Sequence, residues 1–176
     1  VITRRTVDGM GWATYSDDLV YRYTLGRCWD NVKASFGRIL WIMLNPSTAT
    51  EEDFDPTVRR CYGYSRAWRF ASMEVVNLFA LRSTDPRKLL TAEDPIGPYN
   101  DRAIARAIAK AKFVVAAWGC HALVVRRQRD LFVLKAMMKA DKELHALKTT
   151  KSGAPSHPLY LSSTLRPVAY PGRPHV

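Results

Sequence analysis

The chain has 176 residues, 47% of them hydrophobic and 24% charged, the proportions of an ordinary soluble globular protein. No stretch reaches the ~18 to 20 consecutive apolar residues that span a bilayer. The opening VITRRTVDGMGW has no apolar centre of a secretory signal, so a cytoplasmic protein without a membrane partner is expected. Lys and Arg number 27 against 16 acids, and a net charge of +11 favours polyanionic partners through counterion release, although solvated lysine-rich faces alone also raise the charge.

The length suits one domain over residues 1–176, and a monomer is expected. Cys28, Cys61 and Cys120 form neither a disulfide framework nor a C-x-x-C pattern. Adjacent Cys120 and His121 do not aim at one ion, so no metal and no cofactor is predicted. After Glu143 there is no acid, while Lys148, Lys151, Arg166 and Arg173 remain.

In chain order, DLVYRYTLGRCWD (18–30) alternates with period two, placing Tyr21, Tyr23 and Leu25 on one face of an edge strand in an N-terminal β-hairpin. ILWIMLN (39–45) reads as a buried strand that breaks at Asn45-Pro46. Asp55 is a good N-cap with Pro56 at the first helical position, and Val58, Cys61, Tyr62 and Ser65 follow at helical spacing toward Trp68. EVVNLFAL (74–81) is a second buried strand. NDRAIARAIAKAK (100–112) is an amphipathic helix with Ile104, Ala107 and Ile108 on one face and Arg102, Arg106 and Lys110 on the other. FVVAAWG (113–119) is a third strand, residues 121–142 a third helix, and ELHALKT (143–149) a fourth strand.

This β-α alternation predicts an α/β fold of three layers, a four-stranded parallel sheet flanked by helices. In such sheets ligands bind beyond the carboxyl ends of the strands. Standing there are Asn45, Pro46, Ser47 and Thr48 after the first strand, and Asn77 near the middle of the second, before Arg82, Ser83 and Thr84. Trp118 ends the third, and His157 follows the fourth. Asn45 before proline reads, by itself, as a turn former. A buried, unpaired Asn77 amide costs about 1 to 3 kcal/mol, which leaves either a neighbouring loop or a ligand edge to satisfy it. His157 in a Gly/Pro/Ser loop is no core histidine, and Trp118 reads as core.

Together these residues resemble the uracil-DNA glycosylase superfamily. MLNPST (43–48) is similar to that family's G-I-N-P-G water-activating motif, VVNLFALR (75–82) to its base-reading asparagine strand, AAWGCHA (116–122) to its L-L-W-G-x-H-A, and HPLYLS (157–162) to its H-P-S-P-L-S. The likeness covers about 39–163. N-P-S-T-A, D-P-T-V-R-R and V-V-N-L-F-A also resemble an uncharacterised bacterial and phage branch over nearly the whole chain. Departures are the lack of an Asp beside Pro46, Leu159-Tyr160 in place of Ser-Pro, and no four-cysteine cluster.

The resemblance implies a uracil-DNA glycosylase-like fold and a monofunctional DNA glycosylase. Asn45 would hold the attacking water, and His157 would stabilise the departing base. Asn77 would read a flipped base, and Leu161 with Tyr160 would wedge into the vacated stack. Arg59, Arg60, Lys151 and Arg166 would hold phosphates. Asp53 or Asp55 would be the carboxylate available to the water, Asp55 being already explained as a cap. Ser47 stands where the strict uracil branch has a tyrosine, which implies room for a 5-substituted pyrimidine, including the modified bases of phage DNA, and with them a role in antiviral defence. Two other readings stay open: a base- or nucleotide-modifying transferase that uses the Ser47/Thr48 turn, and a non-catalytic DNA binder.

Overall fold

The computed structural model describes residues 1–29 and 36–172; Asp30 and Arg173 lie outside the described residues. Its elements are β1 (Ile2–Arg5), β2 (Gly11–Tyr15), β3 (Arg22–Cys28), β4 (Arg38–Met43), α1 (Pro56–Ala67), β5 (Ser72–Asn77) and α2 (Lys88–Thr91). They continue with α3 (Asn100–Lys110), β6 (Phe113–Ala116), α4 (Ala122–Arg126), α5 (Arg129–Lys139), β7 (Leu144–Ala146), a 3₁₀ turn (Pro158–Tyr160) and β8 (Val168–Ala169).

The strands form one mixed sheet of eight, ordered β1-β2-β3-β5-β4-β6-β7-β8. This corrects the expected four-stranded parallel sheet. β4 pairs in parallel with β5 and β6, and β6 with β7, but the β1–β2, β2–β3, β3–β5 and β7–β8 ladders are antiparallel. The added strands carry little apolar signal: β1 and β8 are exposed along their whole lengths. β3 is no edge strand either, since it lies between β2 and β5.

Helices cover both faces of the inner strands. On one side α1 packs through Val58, Cys61 and Tyr64 against Trp41, Met43, Met73 and Val75. On the other, Ile104 and Ile108 of α3 and Val133 of α5 meet Leu40, Ile42, Val76 and Leu78. The Asp55 cap accepts from the Val58 amide at 2.8 Å, with Pro56 opening the helix. The helix expected over 121–142 is broken in two, with Gln128 between its halves at φ 51°. The C-terminal arm adds β8 beside β7 and buries Tyr170 edge-on against the core residue Trp118.

β3 contains the irregularity that matters most. Tyr15 faces Arg22 while Thr14 faces Thr24, so Tyr23 is an extra residue on the bulged strand. Strict alternation would put Tyr23 and Leu25 together. Instead Tyr23 stacks with Tyr21 and meets Tyr99 on the α3 side, Leu25 lies in the α1-side core, and Arg22 turns inward on the α1 side beneath the loop that follows β4.

Candidate functional site

Met43 and Asn77 are register partners at the carboxyl ends of β4 and β5. The pairing continues past both strands, with Leu78 N–H donating to Met43 C=O at 2.9 Å and Phe79 N–H to Leu44 C=O at 3.0 Å. The two following loops are then tied together. Asn45 Nδ2 donates to Pro46 C=O at 3.0 Å and Ser83 C=O at 2.8 Å, and Ser83 N–H donates to Pro46 C=O at 2.9 Å. The buried strand therefore ends in a fixed amide. With its protons committed to carbonyls, Asn45 presents its oxygen Oδ1 as an acceptor.

Asn77 is 2% exposed, and its Nδ2 has no partner in the protein. By alternation along β5 its side chain lies on the face of Met73 and Val75, the α1 side. Its carbonyl accepts from Asn100 Nδ2 at 2.9 Å, and Asn100 also donates to Leu78 C=O at 3.1 Å, so the backbone behind it is braced. The strand end is thus pinned and carries a buried donor without a partner in the protein.

His157 arrives from the loop between β7 and β8. The 3₁₀ turn it caps packs on α1, where Arg60 donates to Leu161 C=O and Tyr64 Oη donates to Ser162 C=O at 2.6 Å. His157 Nδ1 accepts from Leu159 N–H at 3.4 Å, which leaves the proton of the neutral ring on Nε2. Although its surface is open to solvent, desolvation by the surrounding protein holds the imidazole below its ordinary range, and the Asp55 carboxylate pulls the other way. Asp55 thus does more than cap a helix: its charge acts on His157 and on buried Arg22.

Beside this assembly Ser47, Thr48, Arg82, Ser83 and Thr84 line an open groove of about 510 Å³. The chain belongs to the family described as a protein of unknown function, DUF1643, whose model matches residues 22–159. That span begins at Arg22 and includes Asn45, Asn77, Asp55 and His157, while Tyr160, Leu161 and Arg166 fall after it. No curated protein and no solved structure matches the chain.

Sequence reasoning missed Arg22. It is 2% exposed and donates to Ala49 C=O, while its Nε is unpartnered. Desolvation pulls the guanidinium down to about 10, with Tyr15 and Asp55 opposing and Arg82 assisting. Arg82, also with an unpartnered Nε, donates to Leu19 C=O at 3.0 Å and lies over the Tyr15 ring. Tyr15 in turn donates to Glu51 Oε2 at 2.9 Å. Nothing in the local pattern marks Arg22, because the bulge that turns it inward is set by its neighbours in the sheet.

The remaining expected residues divide. Arg60 holds the His157 loop and lies over Tyr64, so its guanidinium is engaged within the protein, apart from Nε. Leu161 is half-buried against the α1-side core, whereas Tyr160 is 92% exposed and projects freely. Arg59, Lys151 and Arg166 are exposed, as is Asp53. Among the described residues no group of three or more His, Cys, Asp or Glu side chains could hold a metal ion, and no helix is long and apolar enough to cross a membrane.

Proposed function

We propose that this protein is a monofunctional DNA glycosylase that removes a flipped-out, 5-substituted pyrimidine and leaves an abasic site. The observation that carries the reading is the unpaired, buried Nδ2 of Asn77, held at the end of β5 opposite Met43, two residues before Asn45. A pyrimidine carbonyl is an acceptor of the kind this donor lacks.

In this reading Asn45 Oδ1 orients a water toward C1′ of the sugar. The N-glycosidic bond breaks, its electron pair leaves with the base, and His157 Nε2–H donates to the base oxygen on which negative charge develops. A neutral imidazole suits that role, and the depressed basicity of His157 supports it. Asp55 is the acceptor we assign for the water's proton, and its charge also favours the oxocarbenium-like sugar. Ser47 leaves the 5-position open, and Tyr160 is the better wedge, because Leu161 is occupied in the core. Phage DNA with modified pyrimidines, and hence antiviral defence, is the setting this substrate class suggests.

One observation favours a second reading. Arg82 keeps an unpartnered Nε and lines the hydroxyl-bearing groove, a setting suited to the phosphates of a free nucleotide and to a transferase.

The test is a panel of DNAs carrying uracil, T·G mismatches, 5-hydroxymethylcytosine and glucosylated 5-hydroxymethylcytosine, scored for alkali-labile breaks. Breaks on any substrate, lost in Asn45→Ala and His157→Ala, support the glycosylase. Absence of breaks together with tight binding of free nucleotides favours the transferase.

A further inference from the structure

The basic stripe of α3 plays no part in the site at the strand ends. Arg102, Arg106 and Lys110 repeat every four residues, about 6 Å apart along the helix axis. All three are exposed, and no ion pair among the described residues engages them. They form one wall of a groove of about 700 Å³ whose floor is the α3-side face of β1, β2 and β3. Arg38 and Glu74 in this groove share the pleat of Leu40 and Val76, so it opens on the opposite face of the sheet from Asn77.

The floor has a chemistry of its own. Thr3, Thr14 and Thr24 stand side by side across the three strands. Next to them the Trp12 indole lies flat on Gly26, where a Cβ would come within 2.1 Å of the ring. Arg38 covers the same indole at 5.2 Å and pairs with Glu74 at 2.8 Å, which neutralises the one acid that lines the groove among the described residues. At the far end Tyr99, 52% exposed, stands edge-on to Tyr23 at 6.0 Å. Arg5 adds another cation.

We propose that this groove binds single-stranded nucleic acid. Cations along one wall track a phosphate backbone, and the exposed ring of Tyr99 at the end stacks a base without regard to sequence. Hydroxyls between them hydrogen-bond to sugars and bases. An acidic peptide would use the cations but has no use for the exposed ring of Tyr99. The proposal is independent of the glycosylase reading, and a failure to form abasic sites leaves it standing.

The test is fluorescence anisotropy of a fluorescein-labelled oligothymidine of about 15 nucleotides, titrated at several salt concentrations, with heparin as a polyanion lacking bases. Arg102→Gln with Arg106→Gln is expected to weaken the oligonucleotide at least about tenfold and to reduce the salt slope by about 1.4, from ~0.7 for each phosphate contact on a single strand. Tyr99→Ala is expected to weaken the oligonucleotide about 5- to 100-fold, the loss of one stacked base, with heparin binding unchanged. Lys110→Gln at the end of the stripe replaces the double variant if its melting curve departs from the parent's. Unchanged affinity and salt slope in the arginine variants overturn the proposal. So does a Tyr99→Ala that leaves both ligands unaffected, which would make the groove a patch for any polyanion.

Discussion

The Asp55 carboxylate at the N-terminus of α1 and desolvation by the surrounding protein act in opposite directions on the imidazole of His157 in the loop after β7. The carboxylate favours the charged ring and the surrounding protein disfavours it, and desolvation is the larger effect. The capping oxygen of Asp55 is committed to Val58 N–H, so the cap and the electrostatic contact are made by one side chain.

The first prediction concerns that pair. His157 is neutral at pH 7, and excision is expected to fall as pH drops through a value below the ordinary imidazole pKa of about 6.5. The folded pKa is depressed, so the ring's contribution to stability is complete above ~6.5 and is lost as pH falls through the lowered value. Asp55→Asn keeps a good N-cap but removes the charge, so the pKa should fall further. An NMR titration of the His157 ring measures this directly; a pKa that rises in the variant refutes the contact.

Asn77 and Asn100 should respond oppositely to truncation. Asn100 donates to two backbone carbonyls, and Asn100→Ala is expected to cost about 2 to 3 kcal/mol in urea unfolding. Asn77→Leu removes an amide donor with no partner, so its cost should stay within about 1 kcal/mol while base excision is lost. A large destabilisation by Asn77→Leu would mean that the amide is satisfied within the protein.

Arg60 and Tyr64 fasten the His157 loop to α1. Tyr64→Phe should cost about 1 kcal/mol and speed amide exchange over 157–165. Arg60→Ala is expected to loosen the same segment and reduce excision without changing the salt slope of DNA binding. An altered slope with normal exchange would return Arg60 to the role of a phosphate contact.

Gly26→Ala tests the floor beneath Trp12. Its new methyl would overlap the indole, and displacing that ring is expected to cost about 1 to 3 kcal/mol. Oligonucleotide affinity should fall with it, read by the same anisotropy titration, while excision at the opposite face persists.

Much of the inner fold is legible in the residues themselves. Runs such as ILWIMLN and FVVAAWG announce strands buried on both faces, and Asp55-Pro56 announces a helix start. Asn45, Asn77 and His157 stood out as polar residues at the ends of apolar segments, and the structure brings Asn45 and Asn77 to adjacent strand ends. It also engages two candidates within the protein. Arg60, a candidate phosphate contact, holds a loop carbonyl, and Leu161, a candidate wedge, is half-buried against the α1-side core.

What the sequence by itself determined was local: burial along four strands, the cap of α1, the charge stripe of α3. Those signals reside in side-chain periodicity within one segment. Only the tertiary structure decided that β3 joins β5 in antiparallel fashion, that Tyr23 bulges, and that Arg22 consequently points beneath the 46–49 loop. Register and pairing direction depend on partners distant in the chain, and a one-residue slip exchanges the two faces of a strand. The basic wall was visible in the residues of α3. The threonine and tryptophan floor that makes it a groove exists only once β1, β2 and β3 lie side by side.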